Sequence, residues 1–267
     1  MKLAFLGTPT AAVPPLRALV EAGHDIRVVV TRADKRRGRG SALSPSPVKE
    51  AAVAHGLPVS HRVDDVLAAD VELGVVVAFG QLIKPHVLER VPMVNLHFSL
   101  LPRWRGAAPV ERAILAGDDV TGVCVMEVEE GLDTGGVHAC VEVPILAGVT
   151  ADELRAELVT IGTELLVETL SRPLGEPQPQ VGEPTYAAKI TTDELRVDWT
   201  ARAEVIDRLV RVGGAWTTFR GERVKLLAGH VDDEGYHIDL LQPAGRGPVA
   251  FDAWRNGARL APGEWFV

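Results

Sequence analysis

Three polar side chains stand out in chain segments that are otherwise apolar. Asn95 and His97 lie two residues apart in the run M-V-N-L-H, so the alternation of side chains along a strand puts both on one face. Asp133 follows a second apolar run at 120–128, in the turn E-E-G-L-D-T-G-G, whose glycines allow a sharp bend. If the two strands lie parallel in one sheet, their carboxyl ends meet and Asp133 can reach His97. An amide donor, an imidazole and a carboxylate in one cleft predict acyl transfer through an oxyanion.

Each of these residues also has a purely structural interpretation. A buried Asn often bonds only neighbouring backbone, a single His on an apolar strand is often a core residue, and Asp before Thr-Gly often only forms a turn. Their joint occurrence favours chemistry, because independent features agree. A zinc hydrolase built on His97, Asp133 and His138 is a competing hypothesis, but the sequence has no H-E-x-x-H and no paired His spacing.

The amino-terminal half predicts the sheet that positions these groups. Its pattern predicts a buried strand at 2–7, a helix at 11–23 and a strand at 26–31. This β-α-β order implies parallel pairing and a right-handed crossover. An apolar run at 71–79 is typical of a central strand buried on both faces. The first turn, G-T-P-T, lacks the G-x-G-x-x-G fingerprint. We therefore expect an α/β fold with a Rossmann-like, mostly parallel sheet that binds no dinucleotide.

A stretch rich in proline and glycine predicts the domain boundary. The run S-R-P-L-G-E-P-Q-P-Q-V-G-E-P follows a long predicted helix at 151–170 and is typical of a stiff linker. Beyond it, an amphipathic helix precedes short apolar runs separated by turns, a pattern typical of a small antiparallel barrel. We predict a domain at 1–171, a linker at 172–190 and a small second domain at 191–267.

Composition and charge narrow the classes of function. The 267 residues are 46% hydrophobic and 24% charged, which is ordinary for a globular protein. The net charge of -8 argues against a protein that coats nucleic acid, because phosphate binding depends on Lys and Arg. No run is long enough for a membrane span, and the first apolar run is too short for a signal peptide. Cys124 and Cys140 lack C-x-x-C spacing, so we expect reduced thiols and a cytoplasmic protein.

A basic loop interrupts the predicted sheet at 32–47. Its sequence, R-A-D-K-R-R-G-R-G-S-A-L-S-P-S-P, sets five Lys and Arg residues against one Asp. Loops of this length are usually functional or disordered. The residues alone leave open a solvated surface loop or a loop that binds phosphate groups.

Taken together, the motifs resemble the 10-formyltetrahydrofolate-dependent formyltransferase family. The run N-L-H-F-S-L-L-P-R-W-R-G-A-A-P-V and the later G-L-D-T-G carry the resemblance. Three further matches resemble the members that formylate methionyl-tRNA: F-L-G-T-P at 5–9, R-G-R-G with S-P-S-P-V-K at 37–49, and Y-A-A-K-I with R-V-D-W at 186–199. The resemblance covers nearly the whole chain, with a carboxy-terminal domain that is shortened between Leu227 and Gln242.

The resemblance implies a mechanism, a co-substrate and partners. Asn95 would donate to the oxyanion, His97 would add a donor and assist proton movement, and Asp133 would orient the imidazole and accept a proton. The co-substrate would be 10-formyltetrahydrofolate with no metal, and the other partner would be charged initiator tRNA, without a membrane. The implied folate-binding residues are Phe79, Gly80, Gln81, Leu82, Ile83, Ser99, Leu100, Leu101, Pro102, Gly131 and Leu132. The implied tRNA-binding residues are Lys35, Arg36, Arg37 and Arg39. The family's second domain is an OB-like β-barrel that helps to hold tRNA.

The acceptor of the formyl group has an alternative. From Thr191 onward the chain has ten Lys plus Arg against twelve Asp plus Glu, which is unusual for a domain that faces phosphates. This balance favours a sibling N-formyltransferase that acts on an amino-sugar nucleotide or another small amine. The basic loop favours tRNA, which we expect to be the acceptor.

Arg103 and Arg105 either cover the end of the sheet or bind phosphate or the glutamate tail of folate.

Overall fold

The computed structural model describes residues 1–36, 43–261 and 263–267. The chain divides into two compact units. The first unit comprises Met1–Pro109, Val120–Pro144 and Arg155–Ala187, and the second comprises Val110–Asp119, Ile145–Leu154 and Ala188–Val267.

Short strands and helices alternate along the first unit. Its strands are β1 (Lys2–Gly7), β2 (Asp25–Val30), β3 (Lys35–Arg36), β4 (Leu43–Ser44), β5 (Val59–Ser60), β6 (Leu73–Val77), β7 (Met93–His97), β8 (Arg105–Gly106), β9 (Val120–Glu127), β10 (Val137–Pro144) and β11 (Tyr186–Ala187). Its helices are α1 (Val13–Glu21), α2 (Pro47–Ala54) and α3 (Pro85–Leu88), with α4 (Pro109–Ala116) and α5 (Ala151–Leu170) divided between the two units. Thr10–Ala12 and Val63–Ala68 form 3-10 turns.

A seven-stranded sheet of described residues, in the order β10-β9-β7-β6-β1-β2-β5, is the frame of the first unit. Strands β7, β6, β1, β2 and β5 pair in parallel. β9 pairs antiparallel with β7, and β10 pairs antiparallel with β9. All of β6 is buried, which explains why it is a continuous apolar run in the sequence. The predicted Rossmann-like, mostly parallel sheet is confirmed.

The direction of β9 differs from the expectation. It runs antiparallel to β7, with Glu127 opposite Val94 and Cys124 opposite His97. The carboxyl end of β9 therefore lies beside the amino end of β7. The expected parallel pairing is wrong, and strand ends alone do not bring Asp133 to His97.

The two cysteines lie directly opposite each other on β9 and β10 and form a disulfide. Their Cα atoms are 4.2 Å apart, a separation that adjacent antiparallel strands provide. The expectation of two reduced thiols is wrong for this structure. Sequence spacing gave no sign of the pair, because only the register of the hairpin makes Cys124 and Cys140 neighbours.

The second unit has its own antiparallel sheet and core. It contains α6 (Ala203–Val212), β12 (Trp216–Phe219), β13 (Glu222–Asp232), β14 (Gly235–Pro243), β15 (Val249–Ala250) and α7 (Phe251–Ala258). Among the described residues, the sheet has the order β12-β13-β14-β15. One long hairpin, β13–β14, spans the interval from Leu227 to Gln242 in which the sequence suggested missing strands. The predicted small antiparallel domain is confirmed, while α7 was not predicted.

The core of the second unit is mainly aliphatic and includes a cluster of aromatic rings. Phe266 stacks on Trp199 and Trp254 with centroid distances of 5.7 and 5.0 Å, and α6 buries Ile206 and Val210 against the same cluster. Within the described ranges, no helix has the length and apolar character needed to span a bilayer.

Candidate active site

Strand β7 presents Asn95 and His97 on one face of the sheet. It is an inner strand, with β6 and β9 as neighbours, so its position is fixed on both sides by backbone hydrogen bonds. The alternate residues Val94 and Leu96 are buried in the core. His97 is also buried, with 6% of its side chain exposed. The Asn95 side chain is half-buried and makes no hydrogen bond within the described part of the chain.

Both ring nitrogens of His97 face an oxygen atom. Nε2 lies 2.9 Å from the backbone oxygen of Trp104, and since a carbonyl oxygen can only accept, Nε2 carries a proton. Nδ1 lies 3.7 Å from Oδ2 of Asp133, whose side chain is 17% exposed. The sequence therefore identified two groups that the fold brings together. The ring has no nitrogen left to point at an oxyanion in this arrangement.

Asp133 reaches His97 because the turn after β9 folds back on the strand. The backbone N–H of Glu127 donates to the oxygen of Gly136 at 2.8 Å. Gly135 lies so close to the oxygen of Glu127 that a Cβ would collide with it. Asp133 itself has φ +50°, a left-handed conformation that Asp adopts more readily than most residues. This bend replaces the meeting of parallel strand ends that the sequence suggested.

The backbone of Gly106 holds the carboxylate in place. Its N–H donates to Oδ2 of Asp133 at 2.7 Å. Gly106 has φ +120°, and a Cβ at this position would lie 3.0 Å from the oxygen of Ala187. Only glycine combines this conformation with this close approach. The R-G-A-A-P motif therefore has a physical role, which is to deliver one amide hydrogen to Asp133.

Sequence reasoning missed the contribution of residues 180–187, which it assigned to a linker. Within this segment β11 pairs in parallel with β8, and Oγ1 of Thr185 accepts a hydrogen bond from the N–H of Trp104 at 2.9 Å. Gln180 contacts both Asp133 and Arg105. The only signal was that β8 and β11 fall inside two of the motifs that carry the family resemblance.

Most of the residues predicted to bind folate follow two neighbouring parallel strands, whereas Gly131 and Leu132 lie in the turn after β9. Residues 79–83 come after β6 and residues 99–102 come after β7, so both segments begin at the same edge of the sheet. Phe79 and Ile83 have side chains in the core and can offer only backbone groups to a ligand. Ser99 is fully buried and donates to the oxygen of Arg103 at 2.6 Å.

Two exposed leucines suit a flat apolar ring. Leu82 is 80% exposed and Leu132 is 61% exposed, although apolar side chains of this size are usually buried. Gly80 has φ +70° and open space at its Cβ position, so the backbone of this loop is accessible. The amide of Asn95 has no hydrogen-bond partner among the described residues. Apolar side chains and open amide groups of this kind have the chemistry that a folate would use, since its ring is apolar on its faces and polar at its edges.

The basic loop is held at its base and is only partly described. Lys35 and Arg36 form β3, which pairs with β4, and both are exposed. The hydroxyl groups of Thr31 and Ser46 are 2.7 Å apart in a buried contact, and Lys49 donates to Asp34 at 2.8 Å. Arg37 and Arg39, also predicted to contact tRNA, lie outside the described residues.

His138, the third residue of the hydrolase hypothesis, faces a different group. Its Nε2 lies 3.6 Å from Oε1 of Glu127. Among the residues that the structure describes, His, Cys, Asp and Glu side chains form no group of three that could hold a metal ion.

Of the two arginines that flank Trp104, Arg105 binds Gln180, and Arg103 stacks on Trp104 at 4.5 Å.

Known protein families and relatives match most of this chain. The formyl transferase family model matches residues 1–170, and the model of the formyl transferase C-terminal domain matches residues 189–250. The methionyl-tRNA formyltransferase of Ruegeria pomeroyi is 46% identical over 91% of this chain and 87% of that protein.

Solved structures share the fold at lower identity. A methionyl-tRNA formyltransferase from Clostridium thermocellum superposes with a TM-score of 0.68 at 16% identity, over 92% of this chain and 100% of that one. An N-formyltransferase from Helicobacter canadensis in complex with folinic acid and dTDP-3-aminofucose gives a TM-score of 0.64 at 17% identity, over 94% and 98% of the two chains. The chain therefore belongs to the formyl transferase family, among its methionyl-tRNA formyltransferases.

Proposed function

We propose that this protein transfers the formyl group of 10-formyltetrahydrofolate to the α-amino group of methionyl-tRNA, for translation initiation. The observation that carries the chemistry is the pair of His97 and Asp133, 3.7 Å apart, on the same strand face as Asn95, whose amide has no partner among the described residues. Supporting the acceptor is the 46% identity to a methionyl-tRNA formyltransferase over 91% of the chain.

In this proposal Asn95 stabilises the negative charge. Attack of an amine on a formyl carbon moves charge onto the formyl oxygen, and an amide N–H aimed at that oxygen stabilises it. One such donor is worth roughly 3 kcal/mol, because the site is fixed before the reaction begins. Asn95 suits this role since its N–H groups have no partner among the described side chains and backbone.

The pair of His97 and Asp133 moves the proton. The attacking amine must lose a proton and the leaving nitrogen of the folate must gain one, so the enzyme needs a group that takes a proton and returns it. The Asp133 carboxylate accepts the proton, directly or through water. His97 stays oriented by the oxygen of Trp104, and its Nδ1 can accept a hydrogen bond from Asp133 once that carboxyl group has taken up the proton.

The co-substrate supplies the formyl carbon and a leaving nitrogen. We assign its binding to residues 79–83, 99–102 and 131–132, which include the exposed side chains of Leu82 and Leu132. No metal is needed, because the amine itself is the nucleophile and Asn95 supplies the electrophilic assistance.

We assign the acceptor tRNA to the basic loop, through Lys35, Arg36, Arg37 and Arg39. Phosphate groups need local positive charge in a chain whose net charge is -8.

The catalytic domain is assigned to residues 1–171 and the small OB-like domain to 191–267, with 172–190 between them. Charged tRNA is used where ribosomes work, so we place the reaction in the cytoplasm.

An amino-sugar nucleotide is the second candidate acceptor. It is favoured by the balance of ten basic against twelve acidic residues from Thr191 onward, which gives the second unit little attraction for phosphate.

A direct assay separates the two acceptors. Purified protein is incubated with 10-formyltetrahydrofolate and either initiator methionyl-tRNA or dTDP-3-aminofucose, and formyl transfer is measured. We expect transfer to the tRNA and none above background to the sugar nucleotide. The reverse result overturns the tRNA assignment but keeps the formyltransferase, and no transfer to either acceptor overturns the function.

The basic loop can be tested by its salt dependence. Changing Arg36, Arg37 and Arg39 to alanine is expected to raise KM for methionyl-tRNA and to flatten its dependence on salt, because each lost phosphate contact lowers the slope of log K against log salt by about 0.7 to 0.9. Transfer from 10-formyltetrahydrofolate at saturating tRNA should change little.

The matched control removes the same charge elsewhere in the first unit. Changing the exposed residues Arg17, Arg90 and Arg172 to alanine leaves the slope unchanged if contact with the loop is what matters. Equal flattening by both triple variants would show that only net charge is sensed.

A further inference from the structure

We infer that Gln180 is a positioning residue for Asp133, which makes part of the supposed linker a component of the active site. This inference rests on the proposed function. It concerns a segment between the two matched family regions, which end at residue 170 and resume at residue 189.

Gln180 uses its whole hydrogen-bonding capacity on three residues. Its Nε2 donates to the backbone oxygens of Asp133 and Gly135, at 2.9 and 2.8 Å. Its Oε1 accepts from Nε and Nη2 of Arg105, at 3.0 and 2.6 Å. A side-chain amide has two N–H groups and two acceptor lone pairs, so all four are engaged.

These bonds act on the backbone that aims the Asp133 carboxylate. The two acceptors lie on either side of Thr134, so Gln180 fixes the turn at two points. Asp133 has φ +50°, a conformation that needs support from its surroundings in a residue with a side chain. We call the two hydrogen bonds from Nε2 of Gln180 the clamp. Without the clamp, the turn is free to relax toward commoner backbone angles and to rotate the carboxylate away from His97.

Arg105 links this clamp to the other support of the carboxylate. It precedes Gly106, whose N–H donates to Oδ2 of Asp133 at 2.7 Å. Asp133 is thus held at its side chain by Gly106 and at its backbone by Gln180, and Arg105 connects the two. The arrangement lies entirely within the first unit.

The test is a double-mutant cycle with Asp133. We expect Gln180→Leu to lower kcat for formyl transfer about 10- to 100-fold, since small displacements of a catalytic group cost up to that factor. In an Asp133→Asn background the same change should alter kcat about twofold or less, because Gln180 acts only through Asp133. Losses that multiply in full would overturn the positioning role.

Two further variants distinguish positioning from general folding. Gln178→Leu makes the same change at an exposed side chain in the same segment and should leave kcat unchanged. Gln180→Glu keeps an acceptor for Arg105 but replaces the N–H donors with an oxygen, which repels the backbone oxygens of Asp133 and Gly135. The kcat of Gln180→Glu should therefore fall at least as far as that of Gln180→Leu. Normal activity in Gln180→Glu would show that the Arg105 contact alone matters and would overturn the inference.

The proposed function fails separately from the clamp. If the unmodified protein forms no formyl product, the function is wrong. If it is active and Gln180→Leu behaves like Gln178→Leu, only the clamp is wrong.

Discussion

Asn95→Ala is expected to lower kcat for formyl transfer about 10²- to 10³-fold, the effect typical of losing one oxyanion donor. The Asn95 side chain has no structural role as a hydrogen-bonding group, because it makes no hydrogen bond within the described residues. Since the lost interaction forms only as charge develops, kcat and kcat/KM should fall together. Steady-state rates with 10-formyltetrahydrofolate and methionyl-tRNA measure this loss.

The chain contains a suitable control for Asn95. Its other asparagine, Asn256, is exposed on α7, and Asn256→Ala should leave kcat unchanged. Thermal unfolding of Asn95→Ala should stay near that of the unmodified protein, since the change breaks no hydrogen bond in the part of the chain that the structure describes. A variant that keeps its full rate would eliminate the oxyanion role of Asn95.

Asp133→Asn is the second change with a large expected effect. In the unmodified protein the N–H of Gly106 donates to Oδ2 of Asp133 at 2.7 Å. The side chain of Asn retains an oxygen that can accept this hydrogen bond, so the turn should persist. The variant cannot take up the proton that the amine loses, and kcat should fall by about 10²- to 10⁴-fold. Single-turnover rates of formyl transfer measure the loss.

Glu130 provides the control for Asp133, because it lies in the same turn with an exposed side chain. Glu130→Gln removes one negative charge without touching His97, and its rate of formyl transfer should match that of the unmodified protein. If Glu130→Gln and Asp133→Asn lose activity equally, the general charge of the turn matters rather than a proton acceptor at Asp133.

The position of the His97 ring refines the mechanism that the family resemblance implied. Nε2 is committed to the oxygen of Trp104 and Nδ1 faces Asp133. A second donor to the oxyanion would require the ring to leave one of these partners. We therefore assign charge stabilisation to Asn95 and proton movement to the pair of His97 and Asp133.

The sequence by itself determined the main elements of the sheet and the candidate site residues. The strand at 2–7 and the helix at 151–170 agree with β1 and α5, because hydrophobic periodicity is a local property of the chain. Alternation along β7 likewise put Asn95 and His97 on one face. The motifs identified the family without any structural information.

Only the tertiary structure decided how these parts meet. The direction of β9, the pairing of Cys124 with Cys140, and the pairing of β3 with β4 all depend on how strands pair and in which register. Asp133 reaches His97 through a folded-back turn, the N–H of Gly106 and the amide of Gln180. Hydrogen bonds between residues far apart in sequence leave no periodic pattern in the chain, so local reasoning treated residues 172–190 as a linker.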